Sequence, residues 1–251
     1  MTSRTAILIT GASGGIGRAA AIECANRGGR VGVHYNGNRA RAEATLAALA
    51  GDGHQIFQCD ITDPAAAEQL IEEADLALGG LDVLVNNAGI SQRHQFEEID
   101  YATWQQTWQR IVDTNLTAAS NLCFLAGRKM IASGGGRIVN VSSRGAFRGE
   151  PLMPWYGASK AGMNAMGQSL AQALGPKKVF VYTVAPGFVE TEMAAAVLAS
   201  SEGDGIRNQS SIGRVAQPEE LGKTIGFLAF DAPEFMTGSI IDVNGASYLR
   251  S

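Results

Sequence analysis

Three cysteines and three histidines are all the thiol and imidazole chemistry that this 251-residue chain carries. Cys24, Cys59 and Cys123 are odd in number, widely spaced and set in apolar runs, with no C-x-x-C and no histidine at ligand spacing. That argues against a disulfide framework or a zinc site and for buried free thiols. His34, His54 and His94 stand in separate segments with no carboxylate joining two of them at ligand spacing, so they read as solvated or core-edge residues and no metal is expected. Long apolar runs are missing too: none approaches the roughly 18 to 20 residues of a membrane span. Charged residues make up only 18% of the chain, sum to −4 and form no basic or acidic tail. Nucleic acid and anionic lipid are therefore not expected partners. Met1-Thr2-Ser3-Arg4-Thr5 leads into only four apolar residues, Ala6 to Ile9, too few for a secretory h-region, so a cytoplasmic location is expected.

Glycine is what the chain has in excess. Its 31 copies are about twice the average share and follow no collagen period, so many tight turns or close backbone approaches are needed. Short β-branched or apolar runs recur at Thr5 to Thr10, Arg30 to Tyr35, Gln55 to Cys59, Leu81 to Asn86, Gly136 to Ser142, Lys178 to Val184 and Ser239 to Val243. They predict seven strands. Helical spacing fills the intervals Gly15 to Asn26, Arg39 to Leu49, Pro64 to Leu78, Trp104 to Ser133, Trp155 to Leu174 and Pro218 to Phe230. Near-continuous apolar strands alternating with helices predict an α/β fold: one domain over residues 1–251, a doubly wound seven-stranded parallel sheet with helices on both faces. The stretch Glu192 to Gly213 is the least regular and is read as a mobile substrate lid above the sheet.

The segment Thr10-Gly11-Ala12-Ser13-Gly14-Gly15-Ile16-Gly17 follows the first predicted strand and opens the first helix. Glycines there let backbone approach a pyrophosphate, and the helix N-terminus offers unpaired N–H groups and partial positive charge. Its spacing, T-G-x-x-x-G-x-G, is not the usual G-x-G-x-x-G. Further motifs follow in order: Asn86-Asn87-Ala88-Gly89 at the end of the fourth strand, Asn115 within a helical stretch, Ser143 thirteen residues before Tyr156, Tyr156-Gly157-Ala158-Ser159-Lys160, and Pro186-Gly187-Phe188-Val189-Glu190-Thr191 after the sixth strand. Together these resemble the short-chain dehydrogenase/reductase family over nearly the whole chain, closest in pattern to its 3-oxoacyl-acyl-carrier-protein reductases.

The resemblance implies an oxidoreductase that transfers a hydride between a nicotinamide dinucleotide and a carbonyl or secondary alcohol. It assigns the cofactor to Gly11, Ser13, Gly15, Ile16, Gly17, Tyr35, Asn36, Arg39, Asp60, Ile61, Asn87, Ala88, Gly89, Tyr156, Lys160, Pro186, Gly187, Val189 and Thr191, and catalysis to Asn115, Ser143, Tyr156 and Lys160. The second strand ends in Tyr35-Asn36 with no acid, and Arg39 and Arg41 follow, so NADP(H) is favoured over NAD(H). Against this stands Gly14, where NADP-preferring relatives often carry a base; Arg39 and Arg41 can also be read as a solvated helix face. Tyr156 and Lys160, four apart on a helix, share one face. A unit charge about 4 Å away supplies the roughly 4 kcal/mol that would bring a phenol near neutrality, so Lys160 is expected to favour the phenolate. Tyr156 would exchange a proton with the substrate oxygen and Ser143 would hydrogen-bond it. By resemblance, Asn115 would hold a water that links Lys160 to solvent.

Phe147, Leu152, Met153 and Trp155 suggest an apolar substrate pocket, while Arg93, Arg144 and Arg148 are open to an anionic group or to a surface role. A small molecule or acyl thioester is the expected substrate. Sugar, polyol and hydroxysteroid dehydrogenases share nearly the same motifs and remain alternatives. From another class, a nucleotide-binding sensor or scaffold without turnover would be marked by loss of Tyr156, Lys160 or Ser143, and all three are present. Trp104 and Trp108, one turn apart, read as packing residues. Relatives commonly carry asparagine at Tyr182 and a second glycine at Ala246. They also pair the helices corresponding to Trp104 to Ser133 and Trp155 to Leu174 across two-fold axes, so a homotetramer is expected.

Overall fold

The computed structural model describes residues 5–250; the segment Met1 to Arg4, read above for a leader, lies outside them. Seven parallel strands form one sheet in the order β3-β2-β1-β4-β5-β6-β7. They are β1 (Ala6–Ile9), β2 (Arg30–Tyr35), β3 (Gln55–Gln58), β4 (Val83–Asn86), β5 (Gly136–Val141), β6 (Val179–Pro186) and β7 (Ile240–Val243). The main helices are α1 (Gly15–Asn26), α2 (Arg39–Ala47), α3 (Pro64–Leu78), α4 (Tyr101–Val112), α5 (Ala118–Ala132), α7 (Pro154–Leu174) and α10 (Pro218–Phe230), with short helices α6 (Gly145–Arg148), α8 (Glu192–Leu198) and α9 (Gly203–Arg207). The expected α/β doubly wound fold is what the chain forms, with its strand order reversing between β1 and β4.

Side-chain alternation along β1 shows why both sheet faces are covered. Ile7 and Ile9 join one buried cluster with Val31, Val33 and Val85 of the sheet and Leu221, Ile225 and Leu228 of α10. Ala6 and Leu8 join the other, against Leu70, Ile71 and Leu78 of α3 and Leu122, Cys123 and Met130 of α5. Cys24 and Cys123 are buried free thiols and Cys59 is half-buried; burial pushes the thiols of Cys24 and Cys123 up to about 12.

Local chemistry sets the helix ends. Asp63 caps α3 by accepting from the Ala65 and Ala66 N–H groups ahead of Pro64, and Gly79 closes it in the left-handed conformation. A capping box of Gln217 and Glu220 opens α10. Asp100 accepts from Thr103 N–H at 2.7 Å, so α4 begins three residues before Trp104. The long helix expected from Trp104 to Ser133 is interrupted by a π-helical turn at Asp113–Thr117, a feature that inserts one residue and re-aims the side chains around it. The irregular stretch after Thr191 folds into α8 and α9, which share a small apolar cluster of Ala194, Leu198, Ile206 and Val215.

Tyr182 is fully buried in β6 and its hydroxyl donates to the Pro233 carbonyl at 3.3 Å. Trp104 meets Trp155 edge-on, with ring centroids 5.2 Å apart, and stacks on Trp108 at 6.2 Å. The indole N–H of buried Trp155 donates to the Gln92 carbonyl at 2.9 Å, tying the loop after β4 to α7.

Candidate active site

At the carboxyl ends of the strands, where the order reverses, the sheet opens into a cleft of about 1740 Å³, the position at which open α/β sheets bind their ligands. Thr10 pins the crevice: its Oγ1 accepts from the Asn87 and Ala88 N–H groups, both at 3.0 Å. The Asn87 amide in turn donates to the carbonyls of Thr10 and Gly11 at 2.9 and 3.2 Å. Gly11 has φ +64°, and a Cβ there would lie 2.9 Å from Ala88 Cα, so both conformation and space require glycine. At Gly17 a Cβ would fall 2.4 Å from the Gly11 carbonyl oxygen. Helix α1 begins after Gly14 with no side-chain cap, leaving its first N–H groups facing the cleft. A bare helix N-terminus and a backbone stripped of side chains fit a pyrophosphate.

Beneath this turn lies His34, 2% exposed. Its Nδ1 accepts from Gly11 N–H at 3.2 Å and its Nε2 donates to the Cys59 carbonyl at 3.2 Å. Burial holds the imidazole down to about 4, so it is neutral and its tautomer is set by these two partners. Asp60, one residue on, accepts from the Thr62 N–H and hydroxyl, which hold its carboxyl below the usual range. His34 thus joins the glycine turn to the strand end that carries Asp60, a role the sequence reading did not assign.

The cleft is lined by the expected Gly11, Ser13, Gly15, Ile16, Tyr35, Asn36, Asp60, Ile61, Asn87, Ala88, Gly89, Ser143, Tyr156, Lys160, Pro186, Gly187, Val189 and Thr191. Gly17 and Asn115 lie just behind this lining. Arg39 corrects the expectation: it pairs with Glu43 at 2.8 Å on the solvated face of α2, beside the Tyr35 phenol, and does not line the cleft. Arg41 does line it. A Cβ on Gly14 would fall 1.9 Å from an Arg41 guanidinium nitrogen, so Arg41 fills the space that a side chain at position 14 would occupy, and it ion-pairs with Glu192 of α8.

The other half of the cleft is built from the end of β5, the π turn and α7. Ser143 follows β5; its Oγ accepts from Gly145 N–H at 3.0 Å, and its hydroxyl is near enough to the Tyr156 phenol to favour the phenolate. Lys160 is buried, and its Nζ donates to the Val141 carbonyl at 2.8 Å while lying 5.8 Å from the Tyr156 ring centroid. The π turn aims Asn115 at the loop after β4: Oδ1 accepts from Ile90 N–H at 2.8 Å, and Nδ2 donates to the Ile90 carbonyl at 3.0 Å and to Ser159 Oγ at 3.2 Å. With the cleft open, the electrostatics differ from the expected phenolate. Burial raises the Tyr156 phenol above its ordinary value, opposed by the Ser143 hydroxyl, and burial also lowers Lys160 to about 8. Both shifts have the same first cause, burial, which penalises either charge.

Residues 11–246 match a family model described as "Enoyl-(Acyl carrier protein) reductase". The chain is 34% identical over 244 residues to the 3-oxoacyl-[acyl-carrier-protein] reductase FabG of Staphylococcus aureus strain N315, covering 96% of this chain and 97% of that protein. It is 35% identical over 243 residues to the protein of the same name from Escherichia coli strain K12, covering 96% of each. Similarity across essentially the full length, on a sheet that opens where a dinucleotide would lie, leads to one conclusion. The chain belongs to the short-chain dehydrogenase/reductase family and is an NAD(P)-dependent oxidoreductase acting on C=O or CH–OH groups.

Proposed function

We propose that this enzyme reduces a 3-oxoacyl thioester with NADPH. The observation that carries the reading is the convergence of Ser143, Tyr156 and Lys160 on one wall of a cleft whose other end is the glycine turn. The named relatives point to the acyl thioester. When bound, the nicotinamide supplies the hydride. The glycine turn and the α1 N-terminus would hold the pyrophosphate, Asp60 and Ile61 the adenine end, and Lys160 the nicotinamide end. Ser143 donates to the carbonyl oxygen where negative charge develops, and the Tyr156 hydroxyl delivers the proton that completes the alcohol. A phenol held protonated by burial is the form that reduction needs. Asn115 keeps the loop at Ile90 against α7, so the wall carrying Lys160 holds its shape.

NADPH is favoured by Arg41, which lies over the glycine turn, and by the missing acid at Tyr35. Arg41→Ala should lower kcat/KM for NADPH by the 1 to 3 kcal/mol of a charge-assisted bond to phosphate, about 5- to 160-fold, with NADH changed by less than about threefold. Arg39→Ala should alter neither, and Tyr35→Asp should reverse the preference by repelling the 2′-phosphate. Equal loss with both cofactors in Arg41→Ala would count against the assignment. We place the enzyme in the cytoplasm as a homotetramer; no described helix is long and apolar enough to cross a membrane. Oxidation of NADPH by 3-oxoacyl thioesters, compared with keto sugars and steroids, tests the substrate class, and turnover confined to sugars or steroids would overturn it.

A further inference from the structure

The substrate half of the cleft contains a buried cation with no acid bonded to it. Arg144 follows Ser143 directly, is 3% exposed and lines the cleft. Its backbone N–H donates to the Pro186 carbonyl at 2.8 Å, which fixes the chain, and its guanidinium carbon lies 5.1 Å from the centre of the Phe188 ring. Nη2 donates to Gln209 Oε1, and Arg148, one helical turn on, donates to the same oxygen from Nη1 at 3.1 Å. Neither arginine forms an ion pair among the described residues. Two other arginines at the cleft do: Arg41 with Glu192 and Arg93 with Glu202. The nearby carboxylate, Glu150, packs on Gly145 and acts on Arg144 only at a distance.

Burial and the adjoining Arg148 hold the Arg144 guanidinium down to about 10. A buried charge without a counter-ion is a standing cost to the fold. Planar guanidinium forks match carboxylate oxygens, and the neutral Gln209 carbonyl, with two guanidinium donors converging on it, sits where one such oxygen would lie. Deepening the reductase reading on which it rests, we propose that Arg144 and Arg148 bind a carboxylate of the substrate, with Gln209 Oε1 holding its place in the free enzyme. The substrate is then an oxoacyl chain that ends in a carboxylate, either as a thioester or as a free oxo acid.

The test is a series of oxo acids in which one to four carbons separate ketone and carboxylate. Each is offered as the free acid and as its methyl ester, both unconjugated and as an N-acetylcysteamine thioester on the other end, so that the two sources are distinguished. The acid should exceed its ester in kcat/KM by at least thirtyfold at one chain length. Arg144→Gln should cut that acid-to-ester ratio at least tenfold. Gln209 is exposed, so Gln209→Glu leaves the core untouched; by placing a carboxylate between the two guanidiniums it should cut the ratio to a similar extent even if Arg144→Gln fails to fold. Calorimetric titration with glutarate against dimethyl glutarate gives a readout without turnover: the parent should bind the dianion, and Gln209→Glu should lose it. Acid and ester within threefold across the series, or variants that lower both alike, would overturn the carboxylate anchor and leave the reductase standing. If no ketone in either form were reduced, the reductase reading would fail and the glutarate titration alone would decide the anchor, with no binding by the parent overturning it.

Discussion

His34 supports the cofactor half of the cleft through the two hydrogen bonds it makes while neutral. In the folded protein it resists protonation until about pH 4, whereas in the unfolded chain it takes up a proton near 6.5. Its contribution to stability is therefore complete above pH 6.5 and is lost as pH falls from there toward 4, by about 3 kcal/mol in all. Chemical denaturation between pH 7 and 4 should show that decline, and His34→Asn should flatten it; a wild-type slope unchanged in the variant would remove His34 as the cause. Residues such as His34 and Arg41 were hard to read from sequence because their meaning lies in reach. Arg39 and Arg41 are two positions apart on a helix, about 200° around its axis, so one meets solvent and the other the glycine turn. No composition or motif distinguishes them until α2 is docked. Gly11, Asn87, Ser143, Tyr156 and Lys160 were legible because their spacing is tied to strand ends and to one helix face.

At the level of elements, the seven strands were legible as short runs rich in apolar or β-branched residues, fully buried in the central β1 and β4, whereas the Asp100 cap that starts α4 ahead of Trp104 was not. The π turn at Asp113–Thr117 was not, because one inserted residue leaves the helical pattern on both sides intact and shows itself only in where Asn115 points. The two short helices after Thr191 were hidden by a sequence that satisfies its polar groups on other elements, Glu192 on Arg41 and Glu202 on Arg93. The turn after β7 carries a backbone cost of its own. Ala246, where relatives commonly have glycine, adopts φ +57°, a left-handed conformation disfavoured for any residue with a Cβ. Ala246→Gly should stabilise the protein by about 1 kcal/mol, a rise in melting temperature of about 2 to 4 °C. A lower melting temperature would show that the alanine methyl contributes packing worth more than the strain.

The whole molecule is one sheet with two covered faces and one opening, and what remains uncovered bears on assembly. Phe124 and Ile131 of α5, and Phe235 near the end of the chain, are large apolar side chains left in contact with water. Covering them is what the proposed homotetramer would do, and light scattering at micromolar concentration should return four chains; a monomeric mass would exclude it. The central claim is that the opening is a reductase site in which Tyr156 is the proton donor, and replacing that hydroxyl tests it most directly. Tyr156→Phe removes one oxygen from a residue that packs largely through its ring. The variant should bind NADPH with a dissociation constant within about threefold of the parent while turnover falls by 10²- to 10⁴-fold, the range of lost general acid catalysis. Turnover within threefold of the parent, with NADPH still bound, would contradict the account.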